Sequence, residues 1–70
     1  MNKYEIILFW SENDQLFIAE TPELSGCSAH GKTREEALKN IDQAMELWID
    51  TAQEFGGPIP QPKGRKLMYA

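Results

Sequence analysis

Residues 33–55, TREEALKNIDQAMELWIDTAQEF, followed by Gly56-Gly57-Pro58, read as one amphipathic helix of about six turns in a chain of 70 residues. Thr33 is a good N-cap, and Glu36 three residues on completes a T-x-x-E capping box. The Thr33 hydroxyl is placed to accept from the Glu36 N–H, and the Glu36 carboxylate to reach back to the Thr33 N–H. Glu35 and Glu36 also set negative charge at the positive end of the helix dipole. Ala37, Leu38, Ile41, Ala44, Met45, Trp48, Ile49, Ala52 and Phe55 recur at helical spacing and form a stripe about 140° wide. Gly56 and Gly57 offer a left-handed stop, and Pro58 forbids continuation. Leu47 lies roughly 130° from the stripe centre and is expected to be exposed.

Working outward toward the N-terminus, residues 3–10 are rich in Ile, Leu, Phe, Tyr and Trp and read as a strand. Ser11-Glu12-Asn13-Asp14 is a turn cluster. Residues 15–21 read as the returning strand of a hairpin, stopped by Pro22, which has no N–H for a ladder. After a loop, residues 27–30 form a short third strand bounded by Gly26 and Gly31. Period two places Tyr4, Ile6, Leu8 and Trp10 on one side of the first strand, under the helix. Phe17 and Ala19 are the inward pair of the second. The expected fold is therefore α+β: a three-stranded antiparallel sheet with one long helix on one face. Residues 56–64 form a Gly/Pro-rich connection to a short tail. Leu67, Met68 and Tyr69 could add a fourth strand, within the chain or across subunits, giving a single β-β-β-α-β domain over 1–70.

A chain this short buries only about 60% of its unfolded surface, so its stability alone is marginal. Disulfide, metal or oligomerisation supplies the usual support. Cys27 is the only cysteine and His30 the only histidine, so neither an intrachain disulfide nor a four-ligand zinc site can form. Oligomerisation, as a dimer or tetramer, is the expected remedy. An unpaired cysteine suits a reducing compartment. No apolar run reaches the ~18 residues of a membrane span, and the polar N-terminus lacks a signal-peptide layout. A cytoplasmic location is expected, without membrane attachment.

The net charge of −4 conceals an asymmetry. Residues 1–62 carry all eleven Asp and Glu against four Lys and Arg, a net of −7; residues 63–70 carry Lys63, Arg65 and Lys66, a net of +3. An acidic body argues against broad nucleic-acid binding and fits a basic partner.

Catalysis requires converging reactive groups, and none converge in this sequence. Cys27 and His30, three apart on a strand, face opposite sides. The carboxylates are scattered, and Gly56-Gly57 follows a helix rather than opening one, so it offers no phosphate cradle. The reading is non-enzymatic, with no catalytic residue, metal or cofactor.

One helix covers one sheet face. Ile7, Phe9, Leu16 and Ile18 then leave the other face apolar, and a contiguous apolar patch marks an interface. The candidate contact residues are Ile7, Phe9 and Ile18 with acidic Glu5 and Glu20, joined by exposed Leu47 on the helix.

Two runs carry a resemblance: Phe17-Ile18-Ala19-Glu20-Thr21-Pro22-Glu23-Leu24-Ser25-Gly26-Cys27, and Gly31-Lys32-Thr33-Arg34-Glu35-Glu36-Ala37-Leu38. In order and spacing the chain resembles the HicB-type antitoxins over about residues 3–62. That resemblance implies a β-β-β-α-β domain with a partial, degraded RNase H-like fold. It implies a partner, a small basic HicA-like toxin that cleaves mRNA with a histidine on a double-stranded-RNA-binding-type fold, whose active site the antitoxin occludes. No counterpart appears of the C-terminal DNA-binding domain that many HicB proteins carry, so direct DNA binding is not expected. Two other readings compete. One is a degenerate RNase H-like enzyme, which would need divalent metal and a carboxylate. The other is an orphan oligomeric regulatory or nucleic-acid-binding module using the basic tail.

Overall fold

The computed structural model describes residues 3–62. Three strands, β1 (Ile7–Ser11), β2 (Leu16–Glu20) and β3 (Ser28–Gly31), precede one helix, α1 (Arg34–Phe55). The strands form an antiparallel sheet in the order β1-β2-β3, an α+β fold as the sequence leads one to expect. The proposed fourth strand at Leu67, Met68 and Tyr69 lies outside the described residues.

The helix begins and ends on the signals in its sequence. Thr33, with extended backbone, accepts from the Glu36 N–H at 3.1 Å. The reciprocal bond differs by one residue from the expected box: Glu36 Oε1 accepts from the Lys32 N–H at 3.1 Å rather than from Thr33. At the other end Gly56 is left-handed (φ 69°). Its N–H donates to Gln53 O and that of Gly57 to Ala52 O, the paired bonds of a Schellman stop.

The strands start later than expected, and β2 ends one residue earlier, because backbone groups there have other partners; β1 and β3 each run one residue further than expected, to Ser11 and Gly31. The Glu5 N–H is held by Glu23 Oε1, so β1 starts at Ile7. Thr21 N–H donates to Cys27 O and Cys27 N–H to Leu24 O, which ends β2 at Glu20 and delays β3 to Ser28. In the hairpin Gln15, not Asn13 or Asp14, adopts the left-handed conformation (φ 56°), held by Gln15 N–H to Ser11 O and Gln15 Nε2 to Glu12 O.

The register explains where the helix sits. One row under α1 reads Leu8, Ala19, Ala29 from β1 to β3, and the next Trp10, Phe17, Gly31. Side chains shrink toward β3, so the helix descends closest there. A Cβ at Gly31 would stand 2.5 Å from the Ala37 backbone nitrogen and 2.8 Å from the Glu36 carbonyl carbon. Ala37, Ile41 and Met45 are wholly buried in this contact, with Tyr4, Ala19, Leu24 and Cys27 completing the core. Ile6, Leu8, Phe17, Ala29, Ala44, Trp48 and Ile49 pack around them.

Two residues of the helix stripe and one strand residue escape the core. A helix of 22 residues is about 33 Å long, whereas five-residue strands run about 17 Å. Phe55 therefore overhangs the sheet and is 80% exposed, and Leu38 sits at the edge of the contact. Trp10, expected beneath the helix, is 43% exposed because α1 lies over β3 and β2 and does not reach that end of β1. Its ring instead meets Phe17 edge-on at 5.0 Å, and its Nε1 donates to Glu12. Arg34 covers Phe17 from the helix, with its guanidinium carbon 4.9 Å from the ring centre.

Leu24 is a core residue that a loop supplies. The turn of residues 21–27 folds it inward to full burial, with Gly26 left-handed (φ 75°) and the Ser25 carbonyl accepting from Trp48 Nε1 at 2.9 Å. Beyond α1 the proline-rich segment folds back along the domain, where the Tyr4 hydroxyl donates to Pro60 O.

Gly31→Ala is expected to cost about 2–3 kcal/mol of unfolding free energy, since backbone rather than a flexible side chain blocks the new methyl. Thr33→Ala should cost about 1 kcal/mol through loss of the cap. Urea denaturation of the two variants measures both; a cost at Gly31 no larger than that at Thr33 would contradict the close approach.

Candidate functional site

The face of the sheet turned away from α1 is bare among the described residues. Alternation places Ile7, Phe9 and Ser11 of β1 there, with Leu16, Ile18 and Glu20 of β2 and Ser28 and His30 of β3. Pairing assembles them into rows: Ile7–Glu20–Ser28, Phe9–Ile18–His30 and Ser11–Leu16. Directly opposed side chains in such rows stand about 4.5–5.5 Å apart at Cβ and act as one surface. Ile7 and Phe9 are 43% and 42% exposed, and Ile18 and Leu16 are half-buried between neighbours. Glu20 closes one end of the patch with exposed carboxylate. Glu5 shares the strand parity of Ile7 but precedes β1 and is half-buried beside Glu23.

Five of the six sequence-derived contact residues thus lie on or next to one face. Leu47 does not. It projects from α1, 68% exposed, on the opposite layer of the molecule. There it lines a groove between the helix and the outer side of β3. Two adjoining hollows of about 350 and 400 Å³ share Ser28, Ala44 and Leu47. Asn40 closes one end by donating from Nδ2 to the His30 carbonyl at 2.8 Å.

His30 and Ser28 join the bare face although the sequence reading did not include them. The signal was the same period of two, but it becomes usable only once the β2–β3 register is known.

Cys27 and His30 face opposite sides of the sheet. His30 is exposed, and Cys27 is buried on the core side. Burial pushes the Cys27 thiol above its ordinary value of 9.0, and the neighbouring Thr21 hydroxyl offsets part of that rise. The contact falls short of a formed hydrogen bond, for the buried Thr21 Oγ1 has no such partner among the described residues. Both line a cleft of about 370 Å³ beneath the 22–26 loop, with Leu24, Pro22 and Glu20. A thiol held protonated and screened from solvent is a poor nucleophile. Among the described residues, no three His, Cys, Asp or Glu gather where they could hold a metal ion. No helix among them is long and apolar enough to cross a membrane.

The raised thiol makes a pH-dependent contribution. The folded chain keeps this proton at a pH where the unfolded chain has lost it, so stability is full below the ordinary thiol value and falls as pH rises through the folded one. Cys27→Ala should flatten the alkaline decline in unfolding free energy relative to the parent chain. Iodoacetamide should modify Cys27 at least tenfold more slowly in the folded protein than in urea; equal rates would contradict its burial.

A family model described as UPF0150-like matches residues 2–60. The chain is 32% identical over 65 residues to a UPF0150 protein of Thermoplasma acidophilum, covering 93% of each. It is 43% identical over 44 residues to one from a Synechocystis strain, covering 63% of this chain and 60% of that protein. A second Synechocystis relative is 38% identical over 55 residues, covering 79% of this chain and 70% of that protein. No solved structure gives a significant match. The family match spans β1 to β3, the 21–27 turn, the capped helix and the first residues of the returning segment, and on that extent the chain belongs to the UPF0150-like family.

Proposed function

We propose that this protein is a non-enzymatic, antitoxin-type binding module that neutralises a small basic, mRNA-cleaving toxin of the HicA kind by covering its active site. The observation that carries this reading is the bare, apolar face of the sheet, with Ile7 and Phe9 exposed on its edge strand β1 beside Ile18 of the central strand. A monomer gains nothing in stability from two such residues in water, and contiguous exposed apolar surface of this kind serves contact with another protein. The acidic charge of residues 1–62 supports the choice of partner. A toxin that grips RNA presents positive charge, and opposite potentials speed encounter and select against wrong partners. The ordered likeness of residues 17–27 and 31–38 to the HicB-type antitoxins supplies the kind of toxin.

In this reading Phe9, Ile7 and Ile18 form the desolvated centre, and Glu20 and Glu5 form the polar rim. Buried aromatic and aliphatic anchors at the centre of a patch carry most of the binding energy, and rim charges mainly set the rate and salt dependence of association.

The test is co-expression and titration with a HicA-type toxin encoded beside the gene for this chain. A stable complex, suppression of mRNA cleavage and restored growth are expected. Phe9→Glu and Ile18→Glu should each weaken binding at least tenfold while leaving the circular dichroism spectrum unchanged. Glu20→Gln should act chiefly on the association rate and at low salt. Absence of a complex at micromolar concentrations, or growth arrest unaffected by the chain, would overturn the proposal.

A further inference from the structure

The cleft beneath the 22–26 loop adjoins the end of the bare sheet face. Ile7, Glu20 and Ser28, which make the end row of that face, line the cleft as well. Three buried residues, Thr21, Leu24 and Cys27, line it too. The cleft is therefore continuous with the patch on which the functional reading rests, and it is the one deep feature beside an otherwise shallow row of side chains.

Two observations define what it would hold. Among the described residues that line it, Glu20 alone is charged, and its side chain is exposed. Thr21 is 1% exposed, yet its Oγ1 has no hydrogen-bond partner among the described residues. Buried hydroxyls are nearly always bonded, and one left unpaired weakens the fold. The Ser28 hydroxyl is a further acceptor, and Ile7 and Pro22 add apolar wall. The complement is a positive charge for Glu20, N–H donors for the hydroxyls and an aliphatic stem for the wall. Long basic side chains are built in this way, with heads that only donate. An anion would meet the Glu20 carboxylate, and a wholly apolar group would leave Thr21 unpaired.

We propose that the cleft receives one lysine or arginine side chain of the basic partner, its stem against Ile7 and Pro22 and its head between the Glu20 carboxylate and the Thr21 hydroxyl. This rests on the antitoxin reading and adds to it a single anchor at the end of the apolar patch. Glu20, exposed at the mouth, draws the cation in and acts on association. Thr21 and Ser28 meet the side chain only after entry and act on dissociation.

Binding kinetics of the full chain with the HicA-type toxin encoded beside its gene test the assignment. Ser28→Phe sets a ring in the cleft from an exposed strand position, and Thr21→Val removes the hydroxyl at nearly constant shape. The dissociation rate should rise at least tenfold in the first and at least threefold in the second, with association rates within twofold of the parent. Thr21→Val should also raise the urea midpoint, because it deletes a polar group that the isolated fold leaves unpaired. Each lysine and arginine of the toxin is then changed to methionine. One of these variants should lose affinity at least tenfold and lose little more when combined with Ser28→Phe, the signature of a shared contact. If Phe9→Glu weakens the complex while Ser28→Phe and Thr21→Val leave dissociation unchanged, or if no basic toxin residue couples to Ser28→Phe, the cleft assignment falls and the antitoxin reading stands. A Thr21→Val chain less stable than the parent would show that the hydroxyl serves the fold, and would also overturn the assignment. Absence of any complex overturns both.

Discussion

The structure depends on one close approach, that of the first turn of α1 to Gly31 at the end of β3. No side chain fits between them. Two residues later Thr33 caps the helix, and Glu36 ties back to the Lys32 N–H. Strand, cap and first turn are therefore a single rigid corner. From it the helix runs back over Ala29 and Ala19, whose small side chains keep it low over β3 and β2. Tyr4, Leu8 and Met45 fill the deeper space that remains. Trp10 is left outside for the same reason.

A helix committed to one side of a three-stranded sheet leaves two kinds of surface. The bare sheet face carries exposed Ile7 and Phe9, with two rows of paired side chains crossing all three strands. The β3–α1 groove is a pair of adjoining open hollows beside the edge of β3. They meet along β3, where Ser28 and His30 border both.

Much of this was legible in the residues. The capping box, the Gly56 stop, the burial of Ala37, Ile41 and Met45 and the exposure of Leu47 all follow from local chemistry and helical period. The face assignments of Leu8, Phe17 and Ala19 follow from period two. Other residues were not legible. Leu24 lies in a loop, where no period marks it, and only the folded 21–27 turn shows that it plugs the core. Phe55 fits the apolar stripe but lies beyond what the short strands can cover, and Leu38 fits it but sits at the edge of the helix–sheet contact. Exposure alone groups Leu47 with Ile7 and Phe9 as one contact set, whereas Leu47 stands on the helix and the other two on β1.

The sequence by itself determined the elements, their order, the single capped helix and the side of each strand that avoids charge, because these depend on neighbours within a few residues. Only the tertiary structure decided which exposed residues share a surface. That choice rests on strand register and on the height at which the helix crosses the sheet. Both are set by contacts between distant positions, above all the absence of a side chain at Gly31.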